Sequence, residues 1–566
     1  MSKIVFKTVV LSTFLIFFIS TQAIKAQDFF EISKQLELLH AVYKEIHLHY
    51  VEQPNTGNIS KRAIDAMLSG LDPYSVLFTE DDIEEYRYMT TGAYGGIGLN
   101  LREINGKVRV YELYENAPAA KAGIRIGDII YSVNGIRILK YDDKVMSLLR
   151  GSPGSTVTLE IQSHTTAQPQ TLKLIRQHIQ PPVISNASLL SDSCTGIIRL
   201  ESFTERCAED VKTALVQLKR RGAKRLILDL RDNPGGLLQE AVRLVNLFVS
   251  PEQLVVYTKG RNPEMNSEFK TATAALDSVM PIVVWINAHS ASASEIVAGA
   301  LQDLDRAVIA GERSFGKGLV QQTKTLPYNS QIKITVAKYY IPSGRCIQAL
   351  DYASRNAEGV VNTVPDSLIT AFKTRNGRIV YDGAGVYPDL PLMSTPGAYV
   401  VSKLQEAYCF YDFANNYVAG HPKIEKPEAF KITNAEYDAF VIFCIQRLDS
   451  ILTDMDLELN TKINFKKNGI RDSISMNQAL WAIKTELKNQ KKSWFSQFSN
   501  DIKTALEEEL IARYYFEKGK RAYRIKHEYQ IQELLNVMAD LEKFNSYLKP
   551  LTDQKPKRPF SQNKRY

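Results

Sequence analysis

The chain has 566 residues, 44% apolar and 23% charged, with a net charge of +8. A single core stops growing at about 250–300 residues, so several globular domains are expected, and so mild a charge gives no sign of nucleic-acid binding. The five cysteines are widely spaced and odd in number, with no CxxC or Cys/His ligand spacing, which argues against a disulfide framework and a bound metal.

Lys3 and Lys7 precede a 13-residue apolar run, Thr8 to Ser20, and small residues follow at Ala23 and Ala26. Residues 1–26 therefore read as a signal peptide. The run is shorter than the roughly 20 residues a spanning helix needs, although a retained anchor is the alternative. The expectation is export to a periplasmic or cell-envelope location, with no stable membrane span after cleavage. Residues 27–92 read as helical. Ile32, Leu36, Leu39, Val42, Tyr43 and Ile46 form one stripe, and NISKRAIDAMLSGLDPY is a second helix stopped by Gly70 and Asp72-Pro73. His40, His47 and His49 read as polar residues of the first, amphipathic helix, because no carboxylate or cysteine completes a ligand set.

Over residues 93–178 the pattern changes to short alternating strands: GGIGLNLRE, KVRVYEL, DIIYSVNG and TVTLEIQSH. Gly96, Ile97, Gly98 and Leu99 precede a strand, where consecutive N–H groups could form a nest for an anion. The strand after it could pair with an incoming peptide whose terminal carboxylate the nest holds. With AGIRIGDIIYSVNG at its distance, this stretch resembles a PDZ domain.

Residues 179–395 alternate strands and helices, with RLILDL, PIVVWIN and AVIAG as buried parallel strands. Residues 396–552 return to helices of unassigned role, and 553–566 form a basic tail expected to be disordered.

GERSFGKG, Gly311 to Gly318, nearly spells a phosphate-binding loop, but Gly318 stands where a hydroxyl should hold Mg²⁺, and GLVQQTKTLP reads as extended instead of helical. The other use for Lys317 is as a general base, its proton affinity lowered by a dry setting beside Phe315. A nucleophile lies upstream in INAHSASASEIVAGALQD, where a strand turns into a helix among alanines. The plainer reading is helix capping before Glu295 by Ser290, Ser292 or Ser294, and Ser294 is expected to take that part. In LRDNPGG, Gly235 and Gly236 could present N–H groups to an oxyanion, or simply form a strand-end turn.

These stretches together resemble the carboxy-terminal processing peptidases, also called tail-specific proteases, over about residues 30–395. The resemblance implies an α/β multidomain protein: a crotonase/ClpP-like α/β peptidase core with an inserted PDZ domain, flanked by N- and C-terminal helical regions. It implies Ser292 as nucleophile, Lys317 as base 25 residues on, and Gln321 orienting the lysine from the same side of a strand. The oxyanion donors would be Ala293 and one of Gly235 or Gly236. Cys346 replaces a residue that is usually serine, without touching the catalytic set. The implied function is an exported serine endopeptidase that cleaves protein or peptide substrates near their free C-termini, with Gly96, Ile97, Gly98 and Leu99 binding the tail. No metal, nucleotide or other cofactor is implied, and the oligomeric state is open, a homo-oligomer included. Rival readings are a non-catalytic PDZ adaptor, an acyl-CoA enzyme and a triad built on His289. The last places a histidine only three residues before Ser292, a poor approach to its hydroxyl.

Overall fold

A computed structural model describes residues 29–163, 166, 168–356, 359–462 and 474–550; the expected signal segment and basic tail lie outside them. The chain divides into two units, Met1–Leu77 and Phe78–Tyr566. In the first, a helix over residues 29–49 is followed by α1 (Thr56–Ser69). The Asn55 side chain caps α1 by accepting from Asn58 N at 3.0 Å, and Tyr43 O–H ties the two helices by donating to Thr56 O at 3.2 Å. Asp72 then accepts from the N–H groups of Tyr74 and Ser75, each at 2.8 Å, which makes the LDPY segment a turn.

The second unit begins its sheets with β1 (Tyr94–Gly96), β2 (Leu99–Ile104), β3 (Lys107–Leu113), β4 (Ile129–Val133), β5 (Thr156–Gln162), β6 (Gln170–Ile175) and β7 (Gln177–Ile179). An antiparallel sheet runs in the order β2-β3-β4-β5-β6, so β2 is an edge strand, while β1 pairs with β7. Strict alternation turns Val108 and Val110, then Val157, Leu159 and Ile161, into one small core.

The chain continues through β8 (Ile184–Leu189), β9 (Thr195–Leu200), β10 (Arg225–Asp229), β11 (Leu254–Gly260), β12 (Ser267–Lys270), β13 (Ile282–Ile286), β14 (Val308–Gly311), β15 (Leu319–Thr325), β16 (Gln331–Tyr340) and β17 (Leu390–Pro391). The central sheet has the order β8-β9-β10-β13-β14-β17 and is parallel except for the β8 edge. Its apolar strands have no polar side because both faces are covered. On one face Ile198, Leu228, Val284 and Ile309 meet α2 (Cys207–Arg220), α3 (Leu238–Asn246) and α4 (Ala293–Asp303). On the other, Ile227, Val283, Trp285 and Val308 meet Ile531, Leu534 and Met538. An antiparallel sheet beside it pairs β16 with both β15 and β11.

The C-terminal region contains α5 (Pro396–Glu406), α6 (Cys409–Gly420), α7 (Asn434–Ile445), α8 (Ile474–Gln497), α9 (Ser499–His527) and α10 (Tyr529–Ala539). Helices α5 to α9 build their own core around Phe410, Phe440, Leu506 and Leu510. The residues of α10 are those that cover the second face of the central sheet. Among the described residues no helix is long and apolar enough to cross a membrane.

Every residue of α4 is buried. At its end, Arg345 donates to Asp303 Oδ1 at 2.9 Å and to Gln302 Oε1 at 2.7 Å, with both charged side chains at most 1% exposed. Arg345→Met would strand a buried carboxylate, and should cost about 3–5 kcal/mol in chemical denaturation. Adding Asp303→Leu should recover part of that loss; no recovery would show that the pair does more than neutralise itself.

Candidate active site

The three loops singled out from the sequence leave the carboxyl ends of adjacent strands β10, β13 and β14, the edge at which open parallel sheets form their crevices. The first two are cross-bonded. Asp232 N donates to Asn287 Oδ1 at 3.0 Å, and Asn287 Nδ2 donates back to Asp232 Oδ1 at 2.8 Å. Ser290 Oγ donates to Leu230 O at 2.8 Å, and Ser294 Oγ to Asn233 O at 3.0 Å. A β-carbon at Gly235 would come within 2.6 Å of Ala291 O and 2.8 Å of Ala293 N, so only glycine lets this loop approach the serine turn. The Gly235 N–H donates to Asn233 Oδ1 at 2.9 Å, which leaves Gly236 as the member of the pair not engaged by that side chain.

Ser292 sits at the strand-to-helix turn with φ 55° and ψ −112°, a strained conformation for a residue with a side chain. It holds the N-cap position of α4. This corrects the expectation for Ser294, which instead lies in the first turn and reaches the neighbouring loop. The reason is that Glu295, three residues after Ser292, accepts the Ser292 N–H on Oε2 at 2.8 Å. The same Oε2 accepts from Lys317 N at 2.8 Å, while Oε1 accepts from Gly316 N and Ser314 Oγ, each at 2.6 Å. One carboxylate thus fastens the serine turn to the lysine loop. Complete burial pushes the Glu295 carboxyl up to about 7, even though the donors from Ser314, Lys317, Gly316 and Ser292 act to lower it. Farther along, Phe315 N donates to Ser290 O at 3.0 Å and Gly318 N to Gln348 Oε1 at 2.7 Å.

Ser292, Lys317, Gln321, Gly235 and Gly236 all line a single cleft of about 1440 Å³. Ala293 is buried beneath it, at the first position of α4, where a backbone N–H has no partner within the helix. Lys317 and Gln321 do not share a strand: β15 starts at Leu319, and its ladder with β16 is irregular between Val320 and Gln321. Two-residue alternation therefore does not relate the two side chains, and Gln321 Nε2 donates to Thr335 Oγ1 at 3.1 Å. His289 is exposed and does not line the cleft. Gly96 to Leu99 are buried in the smaller domain and are not among the lining residues either, although Tyr114 and Ala117, which pack on Gly98, are. Read from the sequence alone, Glu295 has no part in joining the two loops and Asn233 no role beyond a turn. For Glu295 a signal existed: Ser292-x-x-Glu295 is a capping-box pattern.

Residues 194–353 match the peptidase family S41, residues 109–163 a PDZ domain, and residues 400–538 the family described as probable PDZ-protease, C-terminal helical domain. The carboxy-terminal-processing protease of Bartonella bacilliformis is 34% identical over 322 residues, which cover 56% of this chain and 73% of that protein. A probable CtpA-like serine protease of Staphylococcus aureus is 33% identical over 317 residues, 55% of this chain and 62% of that one. Among solved structures, a photosystem II D1 C-terminal processing protease is 26% identical, covering 64% of this chain and 93% of its own, at a TM-score of 0.37. The chain belongs to the carboxy-terminal-processing protease family of S41 serine peptidases.

Proposed function

We propose that Ser292 and Lys317 form the catalytic dyad of an exported endopeptidase that cleaves protein substrates near their free C-termini. The observation that carries this reading is the single Glu295 oxygen accepting from both Ser292 N and Lys317 N, with both side chains on one cleft. Neutral Lys317 takes the Ser292 hydroxyl proton as Oγ attacks the scissile carbonyl carbon. The oxyanion lies against the N–H groups of Ala293 and Gly236. Collapse breaks the C–N bond, and Lys317 returns the proton to the leaving amine. Water then attacks the acyl carbon while losing a proton to Lys317; the C–Oγ ester bond breaks, the carboxylic acid leaves, and Lys317 returns that proton to Ser292 Oγ. Gln321, steadied by Thr335, faces the same cleft and aligns the amine.

The substrate's terminal carboxylate is assigned to the Gly96–Leu99 turn, and its last residues to the free side of the edge strand β2. We read residues 1–26 as the signal for export to the cell envelope, 93–178 as the PDZ domain, 179–395 as a crotonase/ClpP-like peptidase core, and 396–552 as the C-terminal helical region.

Ser292→Ala should remain folded and lose at least about 10⁴-fold in kcat/KM on a peptide substrate. Full turnover by the folded variant would refute the dyad. Lys317→Arg should be equally inactive, because a guanidinium stays protonated and cannot accept the serine proton. Amidating the substrate's C-terminus should weaken capture; equal KM values for acid and amide forms would remove the tail-reading role.

Glu295 generates a pH prediction with opposite signs for rate and stability. Both its oxygens must accept to hold the two loops, so the rate should fall as pH drops through about 7. Its carboxyl lies above its ordinary 4.5, so the folded chain holds that proton more tightly than the unfolded chain does. The resulting stability is complete below the unfolded value and is lost as pH rises through about 7. Glu295→Gln should remove this slope from denaturation curves and lower kcat by about 10²-fold through misplacement of the loops. A wild-type rate profile flat across pH 7, or an unaltered stability slope in the variant, would overturn the assignment.

A further inference from the structure

Helix α9 does not run straight. At Phe516 the backbone takes φ 54° and ψ −168°, inside a helix that resumes at once on either side. That region belongs almost wholly to glycine, so a phenylalanine there is held under strain by its surroundings. Those surroundings are well defined. On the N-terminal side, Arg513 donates to Asn415 Oδ1 at 2.9 Å, to Tyr411 O at 3.2 Å and to Glu509 Oε1 at 2.8 Å, and Tyr515 O–H donates to Ile424 O at 3.3 Å. On the C-terminal side, a β-carbon at Gly519 would fall 2.3 Å from Tyr515 Cβ, and Arg521 pairs with Glu201.

The kink delivers the phenyl ring to a particular place. Phe516 packs against the core of the PDZ domain and also lines the cleft that holds Ser292 and Lys317. The PDZ domain is fixed to the same helices, since Tyr411 O–H donates to Val110 O at 2.7 Å and its ring stacks on Tyr111. A glycine at 516 would relieve the backbone, yet it would leave the cleft without this ring.

Resting on the peptidase reading above, we propose that Phe516 is a substrate-contacting wall of the cleft. It holds the extended stretch of a protein substrate between the tail bound by the PDZ domain and the bond cleaved at Ser292, and favours an apolar side chain there. A short peptide that reaches only the Ser292 end does not meet this wall.

The test compares a long peptide ending in a free carboxylate with a short amidated peptide spanning the same scissile bond. In Phe516→Ala the ratio of kcat/KM, long over short, should fall roughly tenfold, chiefly through KM of the long peptide. Phe516→Leu should restore most of the ratio. An unchanged ratio, or an equal fall on both peptides, overturns the proposal, because the ring then acts on nothing or on the fold. Acylation of Ser292 by a serine-directed probe reports that each variant is folded. In Ser292→Ala protein, a photoreactive phenylalanine at 516 should crosslink to the long peptide and not to the short one; no adduct with the long peptide also overturns it. Failure of the dyad is separate and visible, as turnover that survives Ser292→Ala.

Discussion

Both oxygens of the Glu295 carboxylate are used inside the protein, each by two donors, and none of those donors lies on the same loop as all the others. Ser292 N belongs to the turn before α4, while Ser314, Gly316 and Lys317 belong to the loop after β14. A carboxylate is the one side chain that can accept four such bonds while offering no donor of its own. An amide in its place would turn its donor toward at least one N–H group whichever way it lay. The arrangement sets Ser292 and Lys317 relative to each other through their backbones, before their side chains are considered. The cost is an anion removed from water: burial raises the proton affinity of Glu295 by more than the four donors lower it.

The rest of the fold can be read as the support for this contact. Parallel strands present their carboxyl ends together, so β10, β13 and β14 bring three loops to one edge without long excursions. A parallel sheet needs both faces covered. Helices α2 to α4 cover one, and α10, distant in sequence, covers part of the other. The same C-terminal region reaches the first loop: Arg231 lies with its guanidinium carbon 3.4 Å from the Trp285 ring centroid and pairs with Asp229 and with Glu528. Burial alone would raise the Asp229 carboxyl, but Arg231 and Arg199 beside it hold it below its ordinary range. The helices after residue 396 are therefore continuous with the peptidase core in packing and in charge.

Much of this was legible in the chain. Unbroken apolar runs such as RLILDL mark strands buried on both faces, and alternation in TVTLEIQ marks a sheet with one core side. Glycine and small residues in LRDNPGG and SASAS marked the loops that approach each other. What failed was anything that depends on a partner distant in sequence. Ser294 looked as good a cap as Ser292; the capping-box spacing to Glu295 favours Ser292, whereas the bonds from Glu295 to the lysine loop could not be read from the chain. The same-face argument for Lys317 and Gln321 assumed a strand that starts two residues later and has an irregular ladder. The role of the C-terminal helices was unreadable because their apolar stripes do not say whether they meet one another, a sheet or another domain. They meet all three.

Three residues with side chains hold positive φ angles at the cleft, Asn116, Ser292 and Phe516, and at Ser292 and Phe516 the ψ angles of −112° and −168° lie outside the left-handed helical region that asparagine tolerates. Such conformations cost of order 1–3 kcal/mol each and persist only where many contacts over-determine them. At Ser292 those contacts are the Glu295 carboxylate, the cross-bonds to the Leu230–Gly236 loop and the Tyr339 hydroxyl, which donates to Ser292 O at 3.2 Å. At Phe516 they are the Arg513 fork and the close approach of Gly519 to Tyr515. In each case the backbone departs from regular geometry at a residue that lines the cleft, Ser292 at a helix end and Phe516 within a helix, where its ring also packs on the PDZ core. Strain is thus placed where a side chain faces the cleft, and the surrounding regular structure supplies the stability that holds it there.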